Sequence, residues 1–527
     1  MPDAVVIGAG HNGLVAANLL VDAGWDVEVL EATAQAGGCV RSAELTLEGF
    51  RHDVFSAFYP VAAASPVLQS LRLEQQGLRW LHAPLVLAHP LPDGRCAVLS
   101  RDPQETAASL EAFAPGDGGA WMRMFEGWTA IREPLISAIF SMFPPVGAGV
   151  GFARRMRPRE LVRFARFALL SVRRMAEEEF RGAGGGLLLG GNAMHTDISP
   201  EAPGSGLVGY LLCCLGQDVG FPVPEGGAGQ LTAALVRRFL ERGGTVTYGA
   251  PIAAIEVRNH RAVAVRTSTG AVIPVRRAVV GAVDAVTLYR HLIGPQHLPA
   301  AVISDLDRFQ FDYATVKVDW ALDGGVPWTA TEARRAGTVH LVDSMDQLTM
   351  AAAQLACGLV PSRPPIVAGQ MTTADPMRSP PGTEVLWAYA HVPHHVKGDA
   401  AGSITGAWTP QEAEEFADRI EDRIEERAPG FRARILKRHI LSPPAMQALN
   451  PSLVNGAVNI GTANLYQQLM FRPTPGFGRP TTPVANVFLG SASAHPGGGV
   501  HGGPGANAAR AAIRHHRRQR WTSFGAR

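Results

Sequence analysis

Gly8-Ala9-Gly10-His11-Asn12-Gly13 is the stretch on which the reading of this chain turns. It follows a short apolar run at 4–7. It opens a segment whose Leu14, Val15, Leu19 and Leu20 recur at helical spacing until Gly24. Val27-Glu28-Val29-Leu30-Glu31 then reads as a second strand. Between strand and helix, the pattern G-x-G-x-x-G has a physical purpose. Gly8 permits a tight turn, Gly10 leaves the backbone free to approach a pyrophosphate, and Gly13 lets the helix pack on the strand. The helix N-terminus turns free N–H groups and the positive end of its dipole toward phosphate. Glu31, 18 residues after Gly13, suits the ribose hydroxyls of an adenosine, and its charge disfavours a 2′-phosphate. The pattern predicts a Rossmann-type dinucleotide unit with Gly8, Gly10, Asn12 and Gly13 about the phosphates. A chance glycine turn is the plain alternative, and it leaves the acid in register unexplained.

Two further glycine-rich stretches extend this reading. In Gly37-Gly38-Cys39-Val40-Arg41-Ser42 the glycines let a loop pass close to a bulky group, and Arg41 offers a fixed cation for a phosphate. A surface loop is the alternative there, and Cys39 reads as a small filler. Near the other end, Gly490-Ser491-Ala492-Ser493-Ala494-His495-Pro496-Gly497-Gly498-Gly499-Val500-His501-Gly502-Gly503 follows a short strand at 487–489 and leads into a helix expected from about 507. Its glycines leave no side chains to block a flat ligand, and the helix start supplies N–H donors. Residues 503–508 match G-x-G-x-x-A in form, but no strand precedes them, so they do not count as a second nucleotide fold.

A second pass of α/β character begins near Pro224. A helix at 231–242 is stopped by Gly243-Gly244, strands follow at 245–248, 252–257, 261–267 and 271–275, and 278–281 reads as a buried strand. The intervening segments differ in texture. One is helical and arginine-rich; the other carries a strand at 315–322 and a long polar helix at 410–427. The predicted fold class is α/β: a Rossmann-type domain built from 1–90, 222–310 and 478–527, interleaved with an α+β substrate domain from 91–221 and 311–477.

Composition bounds the function. The 527 residues include 58 glycines, about 11% against a usual ~7%. Hydrophobic residues at 46% exclude a disordered chain. The longest nearly apolar stretch, 206–216, is far shorter than the ~20 residues of a span. A net charge of +2 gives no field for nucleic acid. The five cysteines show no Cys-x-x-Cys and no zinc spacing, and no signal peptide is visible, so a cytoplasmic protein without metal is expected. His394-His395 and His515-His516 lack a third ligand at metal spacing. Residues 152–175 mix eight arginines with Phe152, Leu161, Phe164 and Phe167. As one helix they carry an apolar stripe (Leu161, Phe164, Ala165, Ala168) and a basic flank. That suits an interfacial helix docking on anionic lipid and admitting a lipid-like substrate. The alternative is a helix packed on its own domain with solvated arginines. The apolar run 207–215 reads as core or as the lining of a substrate cavity.

Taken with Pro224-Glu225-Gly226-Gly227-Ala228-Gly229-Gln230-Leu231, Arg472-Pro473-Thr474-Pro475-Gly476 and Thr482-Pro483, the three glycine motifs resemble the FAD-dependent phytoene desaturase and phytoene dehydrogenase-related family of the flavin amine oxidase superfamily. The likeness covers nearly the whole chain, and none of its motifs is specific to a substrate. It implies FAD, with Gly8, Gly10, Asn12, Gly13 and Glu31 on the ADP half and Gly38 and Arg41 near the pyrophosphate. Ile252 is then expected at the adenine, Gly490 and Ser491 at the pyrophosphate and ribityl chain, and Gly499 and the Val500 N–H at the flavin. It implies an oxidoreductase that removes hydride from a bulky apolar, isoprenoid or carotenoid-like, substrate. Since a flavin takes the hydride itself, the protein's tasks are placement and exclusion of water. His495 and His501 flank the flavin loop and are the candidate catalytic residues, with loop packing as their alternative. Lys317 is compared with the lysine that amine oxidases often keep near the flavin, but alternation along its strand places it on the solvent face. A single dinucleotide fold points to oxygen, a quinone or another carrier as electron acceptor. An FAD-dependent amine or alcohol oxidase and a flavin-binding scaffold with little turnover are the alternatives.

Overall fold

The run Ala4-Val5-Val6-Ile7 is wholly apolar because its strand is covered on both faces. In the computed structural model, which describes residues 1–524, it is the central strand of a five-stranded parallel sheet. The order is Val487–Leu489, Ala278–Gly281, Ala4–Ile7, Val27–Leu30, Thr245–Thr247, with Ala4 in register with both Ala278 and Val27. Helices His11–Asp22, Gly229–Glu241 and Gly503–Phe524 cover one face through Leu14, Leu235, Phe239 and Ala508. The other face packs on a three-stranded meander, Ile252–Arg258, Arg261–Thr267 and Val272–Pro274, through Val5, Ile7, Ile255 and Val265. Such double coverage is what a parallel sheet requires, and it explains the lack of alternation in these strands. The five strands come from the segments 1–90, 222–310 and 478–527; the last three residues of the third segment lie outside the described residues.

Glycine is required where these segments meet. A Cβ on Gly13 would stand 2.1 Å from the Gly8 carbonyl oxygen, and one on Gly505 would stand 1.9 Å from that of Asn12. The first and last helices therefore touch backbone to backbone.

A seven-stranded sheet forms the second layer system. Its order is Ile435–Leu441, Ala314–Leu322, Glu384–Val392, Ile366–Gln370, Ala336–Leu341, Leu85–Pro90, Cys96–Leu99. Neighbours are antiparallel except Ala336–Leu341 and Leu85–Pro90, which run parallel. Leu85–Pro90 corrects the expected boundary at residue 90: its pairing partners lie in this sheet, so the substrate domain begins about five residues earlier. One face, carrying Val316, Val318, Trp320, Leu386 and Ala388, packs on Phe416, Ile420 and Ile424 of helix Pro410–Glu425. The opposite face looks into the site described below.

Residues 152–175 are not one helix. They divide among Val146–Arg155, Pro158–Leu169 and Val172–Glu179. Pro158 lacks the N–H needed to continue a helix and sits in the first turn of a new one. Ser171 caps the third by accepting from the Arg174 N–H. No residue of Pro158–Leu169 is buried.

Replacing Gly13 or Gly505 by alanine should lower the free energy of unfolding by about 1–3 kcal/mol or more, since backbone has to move to admit the methyl group. Urea denaturation measures this; wild-type midpoints for both variants would contradict the close approach.

Candidate active site

The first turn and the second strand build one end of a continuous cavity of about 840 Å³. Gly8, at φ +97°, makes the turn, and a Cβ on Gly10 would meet nothing nearer than the Gly38 Cα at 3.9 Å, so this face of the backbone lies open to the cavity. The Gly37 N–H donates to the Ala9 carbonyl (2.9 Å) and ties the second glycine loop alongside. Glu31 is held for a purpose. One carboxylate oxygen accepts from the Ala9 N–H at 2.7 Å, and the other from the Thr33 N–H and hydroxyl at 2.9 and 2.8 Å. A carboxylate has about four lone-pair sites, so acceptor capacity remains on the cavity side. Pro251 and Ile252 of the meander form the wall beside it.

Every position expected about the cofactor lines this cavity except Gly490. Gly490 serves packing instead: its Cβ would stand 2.8 Å from Val280 and 3.3 Å from Ala508, so only glycine lets the helix settle on the sheet there. Ser491, Gly499 and Val500 of the same loop face the cavity. Arg472 anchors the loop. It is 1% exposed, donates to the Ala492 carbonyl at 2.9 and 2.6 Å, and donates to that of Thr462 at 2.7 Å.

His495 and His501 do not have the freedom that a catalytic role requires. His495 is off the cavity wall, with Nε2 on the Ser141 carbonyl at 3.1 Å. His501 reaches the wall, but Nδ1 accepts from the Gly503 N–H (3.0 Å) and Nε2 therefore donates to the Gly498 carbonyl (3.2 Å). Burial pulls His495 down to about 4 and His501 to about 3, so both are neutral. The geometry makes them braces of the loop.

Lys317 also differs from expectation. All of Ala314–Leu322 is buried, because both faces of its sheet are covered, and Lys317 is 3% exposed on the cavity side. Its Nζ donates to the Asp53 carbonyl at 3.0 Å and to the Asp319 carboxylate. Residues missed in the sequence stand beside it. Trp387 and Tyr389 stack 6.0 Å apart with a 12° tilt, Tyr389 is in register with Lys317, and His195 meets the Tyr389 hydroxyl. A signal was available: polar residues at 315, 317 and 319 alternate with apolar ones that pack on a helix. An apolar stretch of the wall comes from Phe58, Phe221, Ile139 and the helix Ser205–Val219 through Leu207, Val208 and Leu211.

The profile of the family described as flavin containing amine oxidoreductase matches residues 13–397. The chain belongs to this family. Among its relatives is the mouse (Mus musculus) pyridine nucleotide-disulfide oxidoreductase domain-containing protein 2, 27% identical over 97% of this chain and 93% of that one. Another is the lycopene-forming phytoene desaturase of Pseudescherichia vulneris, 26% identical over 95% and 96%. An oxidoreductase structure from Methanosarcina mazei shares the fold with a TM-score of 0.62 at 15% identity, over 97% and 99% of the two chains.

This amine oxidoreductase family member is a flavoprotein, and its cofactor is FAD. The cavity fits the dinucleotide. Asn12 and Arg41 line it, with Asn12 Oδ1 and Arg41 Nε buried and without hydrogen-bond partners, and the Gly10 face is open. When bound, FAD supplies a two-electron acceptor. Glu31 would hold the ribose, backbone N–H groups of the glycine turn would face the phosphates, and the apolar half would keep water out. No helix among the described residues is long and apolar enough to cross a membrane.

Glu31→Ala should weaken FAD binding roughly 10–100-fold, the worth of one or two hydrogen bonds to a charged acceptor. Fluorescence titration of the deflavinated protein reads this, and unchanged affinity would contradict the placement of the ribose.

The buried histidines also set a pH dependence. His89 and His495 are held down to about 4 and His501 to about 3, against 6.5 when free. Folded values below unfolded ones mean that stability is complete above 6.5 and is lost as pH falls toward 4. Each should cost about 1 kcal/mol by pH 5.5. Thermal midpoints between pH 7.5 and 5.5 measure the loss; a flat profile would contradict it.

Proposed function

We propose that this flavin-dependent oxidoreductase removes a hydride from a bulky apolar substrate, of the isoprenoid or carotenoid-like kind. The observation that carries this reading is the composition of the cavity beyond the nucleotide end. Phe58, Ile139, Phe221, Leu207, Val208 and Leu211 line it. Among the described residues, Glu31 is the carboxylate on the cavity wall, and it stands at the nucleotide end. A cationic amine therefore finds no counter-charge where it would be oxidised, which weighs against the amine oxidase reading; Asp319 is already paired with Lys317. The desaturase among the relatives agrees with the apolar reading.

Access supports the same substrate class. The Leu169 carbonyl accepts from the Gly204 N–H at 3.3 Å, and Leu465 packs on Gly204; Gly204, Ala168 and Leu465 all line the cavity. Leu169 and Leu465 are themselves exposed, as is Val162 on the same helix as Leu169, with Arg159 and Arg163 beside it in sequence. An apolar rim with basic neighbours suits the surface of an anionic membrane from which a greasy molecule could enter. The electron acceptor in this reading is oxygen, a quinone or another carrier.

Anaerobic reduction of the bound flavin by a panel of isoprenoids, other lipids, alcohols and amines tests the proposal. Isoprenoids should bleach the flavin, faster from anionic than from neutral vesicles. Leu211→Asp should slow bleaching at least tenfold while FAD is retained. Bleaching by amines alone would favour the amine oxidase, and no bleaching by any compound would favour a scaffold. Equal rates from both vesicle types would remove the membrane contact.

A further inference from the structure

The apolar half of the cavity ends on a patch that is not apolar. Here helix Ala183–Ala193 and the residues just after it cross the cavity face of the seven-stranded sheet. A Cβ on Gly191 would stand 2.4 Å from His340 Nδ1, which shows how closely the helix lies on the sheet. Three side chains form a chain of hydrogen bonds. The Tyr389 hydroxyl meets His195 Nδ1 at 3.1 Å, and His195 Nε2 meets His340 Nε2 at 3.0 Å. His340 is fully buried, and its Nδ1 has no partner.

The end of the chain decides the direction of every proton in it. Burial holds both imidazoles neutral, His195 down to about 4 and His340 well below its free value. Each therefore has one N–H and one lone pair. A buried N–H without an acceptor is rarer, and worse, than an unused lone pair. His89, against whose ring His340 packs at 6.2 Å, shows that choice: its Nε2 faces the Val342 carbonyl at 2.7 Å and must donate, so its partnerless Nδ1 is the lone pair. By the same rule His340 carries its hydrogen on Nε2 and donates to His195. His195 then donates from Nδ1 to the Tyr389 oxygen. The Tyr389 hydrogen is left over, and Tyr389 is on the cavity wall.

Two independent observations place a ligand group here. Thr338 and Asn192 line the same cavity, are 1% and 0% exposed, and keep Thr338 Oγ1 and Asn192 Oδ1 buried without a hydrogen-bond partner. Asn192 Nδ2 is committed to the Leu188 carbonyl at 2.9 Å and to Cys213 Sγ, so its Oδ1 is an acceptor seeking a donor. The patch thus offers a hydroxyl hydrogen from Tyr389 and an acceptor from Asn192.

We propose that the substrate carries a hydroxyl group on its apolar skeleton, and that Tyr389, Asn192 and Thr338 form the subsite that recognises it, with His195 and His340 as positioning residues for Tyr389. A hydroxyl accepts from Tyr389 and donates to Asn192; a pure hydrocarbon leaves both buried groups unpaired, the situation in which binding sites discriminate most strongly. This inference rests on the apolar-substrate reading above and narrows it.

The test uses the FAD-loaded full chain with two probes, farnesol and farnesene, offered in the same detergent micelles, and reads perturbation of the flavin spectrum. Farnesol should bind at least tenfold more tightly. In Tyr389→Phe, which removes the hydroxyl and keeps the ring, that ratio should fall toward one through weakened farnesol binding. Thr338→Val should lower it in the same direction. If farnesene binds as tightly as farnesol and neither variant alters the ratio, the subsite is overturned while the apolar reading stands. If neither probe binds to protein that retains FAD, the apolar reading fails, and this inference fails with it.

Discussion

The structure depends on one constraint: two glycine stretches near the N-terminal end and one near the C-terminal end must bring bare backbone together at one point. The Gly8 turn, the Gly37-Gly38 loop and the start of the last helix at Gly503–Phe524 converge there. The missing side chains at Gly13 and Gly505 allow the approach, and the open face of Gly10 is the space it creates for a ligand. A domain assembled from separated pieces goes with this, since the last helix that closes on Asn12 through Gly505 comes from the far end of the chain. The substrate domain is inserted between those pieces, which sets its seven-stranded sheet against the same cavity.

Much of this was legible in the sequence, for a definite reason. Strand, glycine turn, helix and acid in register obey local rules, and Glu31 takes up the position that those rules assign to it, fixed by the Ala9 N–H. The boundary at residue 90 was not legible. Leu85–Pro90 is an apolar run equally at home in either sheet, and only its long-range partner at Ala336–Leu341 decides. The break at Pro158 was present as a residue but was outweighed by the regular alternation of arginine and apolar residues around it.

The candidate site was half legible. The nucleotide end is written in glycines, whose backbone role is a local property. The substrate end is written in side chains of separate strands and helices, and proximity in the fold cannot be read from one sequence. Lys317 is the instructive case. Alternation correctly separates its side chain from Val316 and Val318, but assigns it to solvent unless one knows that the second face of the sheet is also covered. Once the cover is seen, the polar face of that sheet (Thr315, Lys317, Thr338, Tyr389) becomes a wall of the cavity. His495 and His501 were drawn in by their place in the glycine loop, yet loop curvature consumes both rings as hydrogen-bonding braces.

The central claim is that one cavity holds a flavin dinucleotide along the glycine turns and leaves its apolar half for substrate. An experimental structure of the FAD-loaded protein tests it most directly. The account predicts the adenosine ribose within hydrogen-bonding distance of Glu31, the diphosphate against Gly10 and Ser491, and the ring system beside Val500, with the space between Phe58 and Leu211 left free. A dinucleotide lying elsewhere, or one whose flavin fills the pocket beside Tyr389 and Leu211, would contradict it.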